Sequence, residues 1–428
     1  MKFQKEAISF DMHKKVLFVY LGIMISLFSL NGQEYTAPSV YSVKVTVPGT
    51  IYGLPVMNLG DQNGLILMFD DLAEDARYYR FKLQHCDRNW NPSDLTEIEY
   101  LEGINDQLIN NYVFSNQTHI DYVHYEVRFP GDGLTPKISG NYLITIYDEN
   151  TDEVVLIRKF MVVDKKVFAS AKLNRPSRVA QMRTHQELEL TVNFKDFQIS
   201  NPVQDVTVTI LQNGHWQRSI PNIAPRNAFG DVLEFDWRGK IVFPGGMDFR
   251  PLDIRNLGYR SFGIAEITEF KDGYVVLKEV EGSRAGRNYF LERDQNGNFV
   301  IDNQRNFAGN VSTTSEYVEV DFRLDVPQMS GNDRVFVAGG FTNFMPDSRF
   351  ELTYNTGEGQ YEGTVLMKQG RYDYIYVVGE GDEQAVDFNA LEGNSNETEN
   401  FYLLLTYYRP FGGRYDQLIS ADIANLGG

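Results

Sequence analysis

Cysteine is almost missing from this sequence. Cys86 is the only one in 428 residues, so no internal disulfide can form and each fold unit must be held by its own core. Tryptophan (three) and histidine (six) are nearly as sparse. The five histidines beyond the N-terminal leader, His85, His119, His124, His185 and His215, do not pair at a ligand spacing, and a zinc site would have one thiolate to draw on. Hydrolase and nucleotide signatures are lacking as well: no G-x-S-x-G, H-E-x-x-H, P-loop or G-x-G-x-x-G, with Glu362 standing where the run from Gly357 would need its third glycine. Carboxylates are plentiful, but nothing in the sequence singles out an acid–base pair. No catalytic, cofactor-binding or metal-ligating residue is nominated, and a non-enzymatic protein without cofactors is the expectation. Positive charge is also short: 40 Lys and Arg face 58 Asp and Glu, for a net charge of −18. Residues 1–33 carry four Lys against Glu6 and Asp11, so the rest stands at about −20. Such a chain is a poor partner for nucleic acid or anionic lipid.

Long apolar runs are absent except one. Val16–Leu30 follows the basic His13-Lys14-Lys15 and precedes the small, polar Asn31-Gly32-Gln33. It is too short for a comfortable membrane span and lacks a basic stop-transfer flank, so residues 1–33 are predicted to be a cleaved signal peptide with no direct membrane insertion afterwards. Helical periodicity is missing too. What is present is Tyr (25), Phe (29), Val, Thr and Ile in short alternating runs cut by Gly, Asn, Asp and Pro. In Tyr122–Phe129, Val123, Tyr125, Val127 and Phe129 point one way, while Tyr122, His124, Glu126 and Arg128 point the other. Further strands are expected at Tyr142–Tyr147, Val154–Ile157, Phe160–Val163, Glu187–Phe194, Val206–Gln212, Tyr317–Leu324, Arg334–Ala338 and Tyr372–Val378. Hairpin turns are expected at 148–151, at Asn213-Gly214 and at Asn296-Gly297. The fold class is all-β, in tandem immunoglobulin-like or early-set β-sandwiches: residues 34–164, 165–310 and 311–428.

Several residues invite a sharper reading and receive a structural one. Cys86 lies inside an expected strand, where a buried, inert thiol is the commoner outcome. Asp294-Gln-Asn296-Gly-Asn298 faintly resembles a calcium loop, but its glycine is fourth rather than sixth and Arg305 takes the place of the bidentate Glu, so it reads as a tight turn. Trp90 and Trp237 read as packing residues, and Gly245-Gly246 after Pro244 as a turn at a domain junction.

Two stretches are distinctive. One is 79–90 (YRFKLQHCDRNW), followed by Ser93, Glu99–Ile104 and Tyr122–Pro130; the other is Val242–Arg250 (VFPGGMDFR), with Phe235-Asp-Trp237 before it and Asp253-Ile-Arg255 after. With the leader and three β segments, they resemble the plug protein family of the type IX secretion system of Bacteroidetes. The resemblance implies a periplasmic protein, associated with the outer-membrane translocon, that binds and seals the periplasmic mouth of a giant SprA-type barrel. A rival reading comes from 335–344 (VFVAGGFTNF) and 368–378 (KQGRYDYIYVV), which look like the sandwich of glycogen-binding modules. Those modules place Trp where this chain has Phe344, which weakens a carbohydrate-binding role. Secreted cargo of the same pathway is a third possibility, but the final residues 419–428 do not read as a sorting domain.

Overall fold

A computed structural model describes residues 32–50, 53–73, 75–131, 133–305, 309–380 and 386–425. The expected signal peptide, through residue 31, lies outside the described residues. As the composition requires, the fold is all-β, and the helices among the described residues are single turns such as Glu97–Tyr100 and Val311–Thr314.

The strand that organises the architecture is Phe401–Tyr408 (FYLLLTYY). Tyr402, Leu404 and Tyr408 enter one apolar core, while Leu403, Leu405 and Tyr407 enter another. A strand with no polar face belongs in a sheet covered on both sides. Four sheets are in fact stacked. The outermost pairs Val40–Thr46, Leu65–Asp71, Val123–Phe129 and Tyr112–Phe114. It packs through Leu67, Phe69, Tyr125 and Val127 onto a second sheet built on Tyr79–Cys86, Gly140–Asp148 and Val154–Val163. That sheet's other face (Cys86, Leu143, Ile157, Met161, Val163) meets the third, in which Phe401–Tyr408 lies between Val206–Gln212 and Gln417–Asn425. The third covers a fourth, Phe168–Asn174, His185–Asn193 and Val232–Phe235, through Val208, Ile210, Leu190 and Phe235.

Beside this stack an eleven-stranded sheet curls around its own core of Val318, Val320, Phe322, Val335, Tyr372 and Tyr374. Chain order and sheet order part company here. Arg250–Asp253, Ile264–Phe270 and Gly273–Lys278 pair within this body, whereas Phe401–Tyr408 and Gln417–Asn425 return to the stack. Hydrogen-bonded strands therefore cross the partition expected near residue 310. The early-set reading of the third segment overlooked this return because an unbroken apolar run has no alternation to mark it.

The expected alternation in Val123–Phe129 holds for its inward face, but His124 on the other face is also buried. Val154–Ile157 and Phe160–Val163 are one strand, Val154–Val163. The Asn296-Gly297 turn forms, with φ of 52° and 81°, but it does not close a hairpin. Residues 290–298 form no strand, and Phe299–Ile301 pairs with Gly370–Glu380 instead. Carboxylates replace the missing ladder: Asp294 accepts the amides of Phe249 and Asn296, and Asp373 accepts that of Gln295.

Candidate functional site

The polar residues worth following lie where the bodies meet. His124 should face water by alternation, yet the outer sheet lays that face against the curled body. His124 Nδ1 bonds Asp70 Oδ1 at 2.6 Å. Lys368, from the curled body, donates to Asp70 Oδ2 at 2.6 Å and to the Ser312 carbonyl at 2.7 Å, and Tyr317 donates its hydroxyl to the same carboxylate oxygen at 2.7 Å. Lys368 Nζ also sits 4.0 Å above the Tyr122 ring. Both partners of the Asp70–Lys368 pair are about 1% exposed. Burial alone would raise the Asp70 pKa; the charge of Lys368 and the hydrogen bond from His124 hold it below the usual carboxylate range. Burial opposes a charge on His124 too, but its bond to Asp70 and the Glu126 carboxylate 3.6 Å from its Nε2 raise its pKa above the ordinary value. Nearby, His119 bonds Glu316 at 2.9 Å across the same joint.

A second joint is made where the chain passes between bodies. It leaves the stack at Val242–Pro244, enters the curled body at Arg250–Asp253, and comes back through residues 386–400. The two passages run side by side. The Gly246 carbonyl accepts from the Ser395 amide and the Thr398 hydroxyl, and Asn400 Nδ2 donates to the Gly245 carbonyl. A Cβ on Gly245 would stand 1.8 Å from the Ser395 carbonyl oxygen, and Gly246 has φ of 69°. Glycine is needed at both places, one for close approach and one for conformation. Just beyond, the Glu392 carboxylate takes Arg250 Nε at 2.9 Å and Arg284 Nε at 2.7 Å. The Val242–Arg250 motif thus builds a junction, as the turn reading of its glycines expected.

The third joint belongs to the first motif. Asp87 Oδ1 accepts the amides of Asn89 and Asn91, which turns the chain sharply and leaves Trp90 at φ of 68°. Trp90 meets Trp216 of the stack edge-on, with ring centroids 4.9 Å apart, and Lys159 lies over both rings. Arg88 pairs with Asp416 at 3.2 Å. Cys86 is fully buried beside this joint, and burial pushes its thiol up to about 12, so it keeps its proton and is a poor nucleophile. Trp237 packs on the core of the third and fourth sheets and donates Nε1 to the Ala224 carbonyl.

Beside the third joint there is a cavity of about 350 Å³, walled by residues including Lys44, Arg158, Lys159, Trp216 and Phe344. Phe344 is 8% exposed and stacks on His215 at 3.3 Å, so it offers no open platform of the kind the glycogen-module reading needs. The histidines are dispersed: His85 bonds Ser93, His185 bonds Thr184, and no three of His, Cys, Asp or Glu among the described residues form a metal-holding group. No helix among the described residues is long and apolar enough to cross a membrane. Sequence reasoning singled out the motif tryptophans and glycines but missed Asp70, Lys368, Glu392 and Arg158. The one hint was Asp70-Asp71 closing an apolar strand, Leu65–Asp71, that carries no alternating polar face.

Residues 40–164 match the family model described as the type 9 secretion system plug protein 1st domain, which bears out the resemblance drawn from 79–90 and its companions. Over the whole chain, the structure is similar to the crystal structure of a hypothetical protein from Parabacteroides merdae ATCC 43184, with a TM-score of 0.85 at 27% identity, covering 91% of this chain and 98% of that one. Two further chains align with it at low scores. The C-terminal domain of the Streptococcus agalactiae AgI/II polypeptide BspA has a TM-score of 0.13 at 8% identity, covering 90% of this chain and 99% of that one. Dimeric latent PorU from Porphyromonas gingivalis has 0.14 at 10%, covering 91% and 34%. No curated protein sequence matches this chain.

Proposed function

We propose that this protein is a plug of a type IX secretion system: a non-catalytic periplasmic body that binds and seals the periplasmic opening of a giant SprA-type outer-membrane barrel. The match of residues 40–164 to the first domain of the plug family carries this reading. The joints make it physically reasonable. A body that closes a wide aqueous opening must not deform, and this one is stiffened by four packed sheets and buried ion pairs rather than by disulfides. Its polar groups are engaged with one another at domain boundaries, an arrangement suited to holding a shape.

Within the matched domain, Ile104, Leu108, Val113 and Phe114 are 72%, 48%, 49% and 51% exposed. Gln107–Leu108 and Tyr112–Phe114 are edge strands of the two sheets of that domain. This apolar rim is the contact we assign to the barrel, because aliphatic and aromatic anchors in a polar surround suit a reversible interface. Affinity purification of the tagged protein from detergent-solubilised envelopes should recover the barrel, and Phe114→Glu should lower recovery without shifting the melting temperature. Loss of the barrel from the eluate under conditions that retain other partners would overturn the assignment. Barrier function is read separately, as vancomycin sensitivity of a deletion strain.

A further inference from the structure

We infer that the cavity beside the third joint is a binding site for a small organic carboxylate, held by Lys44, Arg158 and Lys159 against aromatic walls. The inference stands on charge and is independent of the plug reading. In a chain of net charge −18, this cavity gathers three cations. Against them stand two carboxylates, and Glu34 is the counter-charge that Arg158 and Lys159 both feel. Glu34 accepts the backbone amide of Lys159 and the side-chain amide of Asn343, and both oxygens of Asp294 are held by backbone amides. Asp294 is also pushed up to about 7 by burial, so it carries only part of a negative charge near neutrality.

The cations are set up to receive an anion. The Arg158 guanidinium is buried and donates only to neutral oxygens: the carbonyls of Tyr35 and Ile157 and the Thr36 hydroxyl. Neither Arg158 nor Lys159 forms an ion pair within 4 Å among the described residues. Lys44 reaches the Phe299 carbonyl at 2.9 Å. Burial lowers all three, Lys44 to about 8. Three cations against one full carboxylate leave the cavity net positive, and a desolvated anion brought among them lowers the cost of that excess charge.

The walls select what carries the anion. Trp216, Phe299 and Phe344 line the cavity, and its volume of about 350 Å³ falls within the range of small-ligand sites. An apolar or aromatic acid matches the space and the rings; bare phosphate meets the charges alone. Gln295 adds a carbonyl oxygen that is buried without a partner among the described residues, a place for a hydroxyl donor on the ligand.

Trp216 lies on the cavity and Trp90 against it, so binding has a built-in reporter among only three tryptophans. Titrating the full chain with benzoate should give a saturable change in tryptophan emission. Cyclohexylamine, of similar bulk and opposite charge, should give none, and inorganic phosphate should bind at least tenfold more weakly. Lys159→Met, which keeps the bulk over the rings, should weaken benzoate at least tenfold; Lys44→Met serves if that variant does not fold, with folding judged from its melting curve. The inference is overturned by the absence of saturation with benzoate, by equal response to cyclohexylamine or phosphate, or by unchanged affinity in the folded variant.

Discussion

Replacing Lys368 by Met removes the cation that bonds Asp70 across the joint and leaves His124 as the neighbouring group able to carry positive charge. Asp70 would keep Tyr317 and His124 as partners but lose its shortest contact to the curled body, at 2.6 Å, in a setting about 1% exposed. The Ser312 carbonyl would lose its donor as well. Removing one partner of a buried ion pair typically costs about 3–5 kcal/mol, because the other charge stays buried. The double variant Asp70→Asn/Lys368→Met leaves no unpaired charge from the pair and should recover much of that loss. Hydrogen exchange suits the question, since a chain with several bodies need not unfold in one step. Amides of Val123–Phe129 and Gln360–Lys368, the strands carrying His124 and Lys368, should exchange in Lys368→Met roughly a hundred-fold to several-thousand-fold faster, at about 1.4 kcal/mol per factor of ten. The double variant should lie closer to wild type. A single variant that exchanges within about threefold of wild type, or a double variant as fast as the product of the two singles, refutes the claim that this pair closes the joint.

Three further outcomes follow from the same geometry. His124 has a raised folded pKa, so its contribution is complete below the unfolded value of about 6.5 and disappears as pH rises through the folded one. The stability difference between wild type and His124→Gln, measured by urea denaturation, should therefore shrink as pH rises above about 6.5; a constant difference would contradict it. His85, lowered to about 4 by burial, gives a slope of opposite sign, confined to pH below about 6.5. Gly245→Ala places a methyl group 1.8 Å from the Ser395 carbonyl and should destabilise by about 1–3 kcal/mol through overpacking, read as a lower melting temperature in calorimetry. Cys86, buried and pushed up to about 12, should resist maleimide in the native protein and label only as fast as urea exposes it; rapid native labelling would count against the burial.

Much of the fold was legible because two-residue periodicity marks any strand with one wet face. Tyr122–Phe129 and the hairpin across 148–151 announce themselves in this way, and the pairing of Gly140–Asp148 with Val154–Val163 follows. Phe401–Tyr408 was not legible for the complementary reason: both its faces are dry, so it carries no alternation. Its partner Val206–Gln212 lies roughly 200 residues earlier, and nothing local in the sequence encodes that separation. The motif tryptophans and glycines could be read as packing and turn residues from their chemistry alone. Asp70 and Lys368 could not, because a carboxylate near one strand end and a lysine at another are each ordinary until the fold places them 2.6 Å apart.

The three joints differ in kind. The second and third sheets meet through Leu143, Ile157, Met161, Leu403 and Leu405, an apolar contact that resists separation in water whatever the pH. The curled body meets the outer sheet through Asp70, His124, Lys368, His119 and Glu316, and it is tied to the stack by two adjacent chain passages at Gly245-Gly246 and Ser395. An apolar pair in place of Asp70 and Lys368 could stabilise as well, but an ion pair also fixes direction, so the charged contact sets the angle between the bodies. Opening that contact exposes groups that water solvates readily, whereas opening the apolar one exposes hydrocarbon. If the molecule has a weakest seam, it runs along the charged joint, with the paired passages as its hinge, and the exchange of Val123–Phe129 reports on it directly.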